Sequence, residues 1–280
     1  MLYRKMRNVM IFKDTQDRCF KGELLEKIKA SVKEQVAILQ GDSITVPCPK
    51  NVEKANVVVS TKRTLEAAEP YARQGKKVCV LNFASATNPG GGVKNGSSAQ
   101  EESICRCSTL HPCLDIDECW KVFYEPHRKA NDPLYNDDCI YTPSVCVIKS
   151  DTDYPEPLES ELYWNVNVIT CAAPNLREEP SNEMNPHAGD KKADVSETEL
   201  EKLLTARIRR IFDVAVSFGN EVLILGAFGC GAFKNPPTLV AKVFNTVMQD
   251  YLYHLKTIEY AVFCTEREKA NYIAFKNSMM

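Results

Sequence analysis

The order of apolar and amphipathic segments predicts an α/β fold, with a sheet buried between helices. Two observations carry this. Short apolar runs alternate with helical patterns along most of the chain, and neither an internal repeat nor a sharp composition shift divides it.

From Glu23 to Ile38, Leu24, Leu25, Ile28, Val32 and Val36 fall on one face, which predicts an N-terminal helical segment. Strand Asn56 to Val59, helix Thr64 to Gln74, strand Lys77 to Ala84, a helix near Gln100 to Leu110, and strands Cys139 to Lys149 and Asn165 to Ala172 follow. The C-terminal third reads as helix Ser196 to Ser217, strand Glu221 to Ala227, helix Pro237 to Leu252, strand Ile258 to Cys264 and a last helix after Glu266. The polar spans Pro126 to Asp138 and Leu176 to Asp194 lack periodicity and are predicted surface loops. Residues 1–50 are expected as a helical extension packed on a single globular unit, residues 51–280.

At 280 residues and 31.5 kDa the chain can bury a sizeable core. A net charge of -2 and a pI near 6.2 give no general attraction for polyanions, so DNA binding is not expected and a nucleotide-like ligand would need a local site. Met1 to Arg7 hold no signal-peptide run and no stretch is long enough for a membrane span, so a soluble intracellular protein, cytoplasmic or nuclear and off the membrane, is expected. Twelve cysteines, several inside apolar runs (Cys79, Cys146, Cys171, Cys264), read as small buried hydrophobes without disulfides.

The run Ser85-Ala86-Thr87-Asn88-Pro89-Gly90-Gly91-Gly92 leaves the C-terminal end of a predicted strand, where open α/β sheets bind ligands. Glycines let backbone N–H groups close on an oxygen-rich group, although a bare triplet can also be a flexible turn. Seven residues on come Gln100-Glu101-Glu102, at the start of an apolar-periodic stretch. Ser98 and Glu101 have capping-box spacing, which predicts that Glu101 is partly occupied at the helix start while Glu102 is freer to face the loop. Two such carboxylates can equally be mere partners of the helix dipole.

These residues resemble the microbial-type poly(ADP-ribose) glycohydrolases, whose signature is three glycines, a short spacer and Gln-Glu-Glu. The likeness extends through Leu81-Asn82-Phe83-Ala84-Ser85-Ala86, Ile140-Tyr141-Thr142-Pro143, Val168-Ile169-Thr170-Cys171-Ala172-Ala173-Pro174-Asn175 and Gly226-Ala227-Phe228-Gly229-Cys230-Gly231-Ala232-Phe233, from about Asn8 onward. It implies a macrodomain-like three-layer α/β/α fold with a mixed sheet, Glu102 as the catalytic glutamate and Glu101 as a helper that positions the ribose. Tyr124, in Phe123-Tyr124-Glu125, matches an aromatic pair of the family, although Phe123 lacks a hydroxyl.

A second glycine loop, Gly229-Cys230-Gly231-Ala232-Phe233, joins a strand to a helix after Asn235-Pro236-Pro237, a setting that suits a phosphate. The resemblance implies that this loop wraps the pyrophosphate of ADP-ribose and that Phe233 packs against the distal ribose; from the residues alone, Phe233 could as well be core. The substrate contacts expected from the two loops are Asn88, Gly90, Gly91, Gly92, Gln100, Gly226, Gly229, Cys230, Gly231, Ala232 and Phe233. Cys230 lacks the flanking glycines of a nucleophile elbow, since Phe228 and Ala232 stand there.

Cys105, Cys107, His111, Cys113 and Cys119 cluster without a Cys-x-x-Cys pair, so no metal is expected. His127 and His187 fall in predicted loops and His254 near a helix end, and none pairs with a nucleophile. Cleaving an O-glycosidic ribose bond needs a proton on the leaving oxygen and then an activated water. Glu102 can supply both, its pKa raised by burial and by Glu101, with no cofactor. A monomer acting on poly(ADP-ribose) or ADP-ribosylated proteins, with ADP-ribose as product, is expected. The rival readings are a non-catalytic ADP-ribose reader and a mono-ADP-ribosyl-protein hydrolase; a dehydrogenase lacks its Gly-x-Gly-x-x-Gly.

Overall fold

In the computed structural model, residues 2–183, 185–266 and 268–279 are described. The strands are β1 (Val36–Ile38), β2 (Asn56–Ser60), β3 (Val78–Phe83), β4 (Cys139–Val147), β5 (Trp164–Cys171), β6 (Val222–Leu225) and β7 (Thr257–Ala261). They form one seven-stranded sheet in the order β1-β4-β5-β3-β6-β7-β2. β1 and β4 run antiparallel to their neighbours, while β5, β3, β6, β7 and β2 pair in parallel, so the sheet is mixed.

The helices are α1 (Leu2–Cys19), α2 (Gly22–Lys33), α3 (Thr64–Arg73), α4 (Gln100–Cys107), α5 (Leu110–Leu114), α6 (Asp117–Cys119), α7 (Glu125–Ala130), α8 (Glu197–Ser217), α9 (Pro237–Met248) and α10 (Ala270–Met279). Strand periodicity assigns them to two faces. Cys79 and Leu81 of β3 enter the core built with α8, α9 and Phe275 of α10. Val78 and Val80 enter the core built with α3, α4 and Phe12 of α1. Both faces of the sheet are covered, giving three layers. None of the helices among the described residues is long and apolar enough to cross a membrane.

The N-terminal region departs from the predicted single helix. α2 stops at Lys33, and Val36 to Ile38 add a strand to the sheet edge opposite Tyr141 to Cys139. β-Branched Val36 and Ile38 suit that pleated edge, where Ile38 is buried. Within the expected helical extension, α1 had no bounds of its own in the sequence, because its buried stripe is Asn8, Phe12, Thr15 and Cys19, half of it polar. Asn8 Nδ2 donates to Gly96 O at 3.0 Å and Thr15 Oγ1 to Arg106 O at 2.6 Å, so hydrogen bonds replace part of the apolar contact on that face.

Two further expectations are corrected. The helix expected from Gln100 to Leu110 breaks at Ser108, which is extended and bridges Val147, before α5 resumes. The span from Pro126 is not a loop at its start: α6, a π-helical turn at Trp120–Tyr124 and α7 run on as one helical stretch that includes Pro126. His127 therefore lies buried on α7, bonded to Phe123 O at 2.7 Å and Asn136 Oδ1 at 2.9 Å, not in a polar loop.

Candidate active site

The site begins where the sheet opens. β3 pairs with β6 only as far as Val80, whereas its pairing with β5 continues to Phe83. Gln100 takes over beyond that point: its Nε2 donates to Leu81 O at 2.7 Å and its Oε1 accepts from Phe83 N at 2.9 Å, as an adjacent strand would. Nε2 also reaches Thr64 Oγ1 at 3.0 Å. One amide thus ties the start of α4 to the end of β3 and to α3.

α4 carries both glutamates into the first glycine loop. Glu101 Oε2 accepts from Ser85 N at 2.7 Å and its Oε1 from Asn82 Nδ2 at 3.3 Å. Glu102 Oε1 accepts from Gly92 N at 2.9 Å. Glu102 Oε2 is buried with no protein partner. The expected capping box is absent: the N-cap is Ala99 without a side-chain bond, and Glu101 is turned onto Ser85 instead. Both carboxylates, not one, face the loop.

Gly90 and Gly91 adopt φ of +68° and +55°, and the space beside each is filled. A methyl on Gly90 would stand 2.9 Å from His111 Cδ2, and on Gly91 2.7 Å from Glu102 Oε1. The loop backbone is therefore pressed between His111 and Cys105 on one side and the carboxylates on the other. Burial pushes Glu101 well above the usual carboxylate range, and the Glu102 charge adds to this. Burial also raises Glu102, opposed by the Gly92 N–H and the Arg106 guanidinium. The pair holds a proton at a pH where exposed carboxylates have lost theirs.

The second loop is shaped by close packing. A Cβ on Gly226 would meet Ala261 O at 2.6 Å, and one on Gly229, at φ +73°, would meet Ala173 Cβ and Asn235 Nδ2 at 2.5 Å. Asn235 pins the loop by donating to Pro174 O at 2.7 Å and Gly229 O at 3.2 Å. The amides of Gly231, Ala232 and Phe233 donate to no protein acceptor among the described residues. Three successive free N–H groups suit an anion. The start of α9 adds less than expected, since Pro236 and Pro237 offer no N–H there. Burial pushes the Cys230 thiol up to about 12, which leaves it a poor nucleophile.

Between the loops lies a cleft of about 430 Å³. Gln100, Gly229, Gly231, Ala232 and Phe233 line it. Asn88, Gly90, Gly91, Gly92, Glu101, Glu102, Gly226 and Cys230 lie outside its lining. Asn88 is engaged instead, with Oδ1 accepting from the Arg128 guanidinium at 2.5 Å and Nδ2 donating to Asn185 Oδ1 at 2.8 Å. Sequence reasoning singled out neither Asn82 nor Asn185. Asn82 carried a signal, a polar residue inside an apolar strand; Asn185, in the loop after Leu176, carried none. Among the described residues no His, Cys, Asp and Glu group could hold a metal, and all twelve cysteines are free thiols.

A family profile described as "Microbial-type PARG, catalytic domain" matches residues 8–150. The chain belongs to this family. The matched span holds the first glycine loop and both glutamates; solved structures extend the PARG likeness over the rest. A poly(ADP-ribose) glycohydrolase (PARG) from Thermomonospora curvata is 26% identical with a TM-score of 0.82, covering 99% of this chain and 100% of that one. The same enzyme bound to the inhibitor ADP-HPD gives 26% identity and a TM-score of 0.79, covering 99% of each chain. A PARG from Deinococcus radiodurans in complex with ADP-ribose is 25% identical, with a TM-score of 0.71 over 90% of this chain and 96% of that one. No curated protein matches.

Proposed function

We propose that the chain hydrolyses the ribose-ribose O-glycosidic bonds of poly(ADP-ribose), releasing ADP-ribose, with Glu102 as acid and base. The observation that carries this is the oxygen left over. Of the four carboxylate oxygens of Glu101 and Glu102, three accept hydrogen bonds from the protein, and only Glu102 Oε2 is buried with none. A buried unpaired carboxylate oxygen is costly in a pure binding protein and useful beside a bond that must be protonated.

Protonated Glu102 gives its proton to the leaving ribose oxygen as the C1–O bond breaks and positive charge builds on the sugar ring. The carboxylate then takes a proton from water as its oxygen bonds C1, which restores the acid. Glu101, fixed by Ser85 and Asn82, holds the loop and orients the ribose. The free amides at Gly231, Ala232 and Phe233 grip the diphosphate and so fix the bond relative to Glu102. Family membership and the PARG structures support the same reading.

Incubation with poly(ADP-ribose), resolving products by length, tests it. Shortening to ADP-ribose is expected. Binding without shortening would leave a reader, and release of ADP-ribose from mono-modified protein alone would leave a mono-ADP-ribosyl hydrolase.

A further inference from the structure

From the edge of the cleft outward, two arginine-aromatic pairs meet at one aspartate. Arg63, which with Lys62 and Phe263 lines the mouth of the cleft, lies 4.0 Å over the Phe263 ring and binds Asp153 Oδ1 at 2.5 Å. Arg7 of α1 donates to Asp153 O at 3.2 Å and lies 4.0 Å over the ring of Tyr154. Tyr3 stands one helical turn before Arg7, on the same side of α1. The rings are open to solvent: Phe263 is 49% exposed, Tyr154 64% and Tyr3 80%. We propose that this ridge, from Phe263 through Arg63, Arg7 and Tyr154 to Tyr3, binds the units of poly(ADP-ribose) that adjoin the one in the cleft.

The proposal rests on the hydrolase reading above, and the chemistry of the ridge fits that polymer. Each unit carries an adenine, which stacks on an exposed ring or a guanidinium plane, and a diphosphate, which pairs with Arg and Lys. Two carboxylates touch the strip, Asp153 and Glu66, whose Oε2 accepts from Arg63 N at 3.0 Å, against Lys62, Arg63 and Arg7, and Arg4 and Lys5 stand exposed at the start of α1. Of the acidic residues in the cleft wall, Asp151 accepts from Leu65 N at 3.0 Å and Ser103 Oγ at 2.8 Å, while Glu268 is exposed. With an overall charge of -2 the whole surface does not attract polyanions, so a local cationic, aromatic strip is what longer chains would find.

The test is steady-state kinetics of the full chain on ADP-ribose oligomers of defined length, for the parent, Arg7→Gln, Tyr154→Ala and Tyr3→Ala. In the parent, KM should fall as chains lengthen. Each variant should raise KM for long chains by about two- to five-fold and leave the shortest oligomer unchanged. Tyr154 and Tyr3 are exposed, so those two variants report even if Arg7→Gln loosens α1. A parent KM independent of length, or variants that slow short and long chains equally, would overturn the ridge. If the parent cleaves no oligomer, the hydrolase reading fails separately, and fluorescence anisotropy of labelled oligomers still decides whether the ridge favours long chains.

Discussion

Gly91 and Glu102 are in contact so close that the glycine has no room for a side chain: a methyl on Gly91 would stand 2.7 Å from Glu102 Oε1 and 2.9 Å from Glu101 Oε2. Gly91→Ala should therefore move both carboxylates by some tenths of an ångström, besides forcing alanine into φ +55° at a cost of about 1–2 kcal/mol. The expected outcome is a folded protein whose kcat falls on the order of 10²-fold, the effect of small misplacement of reacting groups. ADP-ribose affinity, which we assign mainly to the second loop, should change far less by calorimetry. Near-normal kcat would mean that the loop does not hold the carboxylates in place.

Glu102→Gln keeps the shape of the side chain and its acceptor for Gly92 N, yet cannot deliver a proton. Turnover should drop by about 10²–10⁴-fold, while ADP-ribose binds equally or more tightly, since a negative charge near a diphosphate has gone. Glu101→Gln retains an acceptor for Ser85 N and should cost less turnover. Single-turnover assays of both variants decide the roles. A larger loss in Glu101→Gln than in Glu102→Gln would transfer the acid role to Glu101.

The pH dependence follows from burial. Both glutamates titrate above the ordinary carboxylate value, Glu101 the more strongly, so the acid form persists to higher pH than in an exposed carboxylate and kcat should fall on the alkaline side as the pair loses its proton. Stability runs in the same sense. A carboxyl whose folded pKa is raised contributes stability fully present below the unfolded value of about 4.3, and lost as pH rises through the folded value. The melting temperature of Glu101→Gln should therefore decline less than that of the parent between acid and neutral pH. Parallel curves for the two proteins would show that Glu101 is not raised.

What was legible in the sequence was linear. Gly90-Gly91-Gly92 and Gln100-Glu101-Glu102 lie within one strand-loop-helix unit, so spacing placed them near each other and the family resemblance joined them into a site, while the apolar runs predicted β3, β5 and β6 within a few residues of their ends. What was missed depends on partners distant in sequence. The Ser98 capping box fails because Ser85 N, sixteen residues before Glu101, takes the carboxylate. The bounds of α1 escaped because Asn8 and Thr15 bury against carbonyls of Gly96 and Arg106 that no periodicity encodes. Asn185, which accepts from Ser85 Oγ at 2.8 Å and from Asn88 Nδ2 at 2.8 Å, reaches the first loop from a segment whose composition signals only solvent.

Phe233 separates geometry from affinity. Its side chain is half-buried in the cleft wall, packed against Ala86, Tyr135 and Ala172, with the Tyr135 ring centroid 6.2 Å away. Its backbone is held independently, since Phe233 O accepts from Leu176 N at 2.9 Å, so removing the ring leaves the loop anchored. Phe233→Ala should then keep the fold and the free amides proposed to hold the diphosphate. ADP-ribose affinity should weaken by no more than about tenfold, the range of one aromatic contact. If the ring walls the distal ribose, the reacting bond loses its alignment with Glu102, and the deficit appears chiefly in kcat rather than in KM. Calorimetry with ADP-ribose beside steady-state kinetics on the polymer separates the two. An unchanged kcat in a stable variant would place Phe233 in the packing around Tyr135 and outside the reaction.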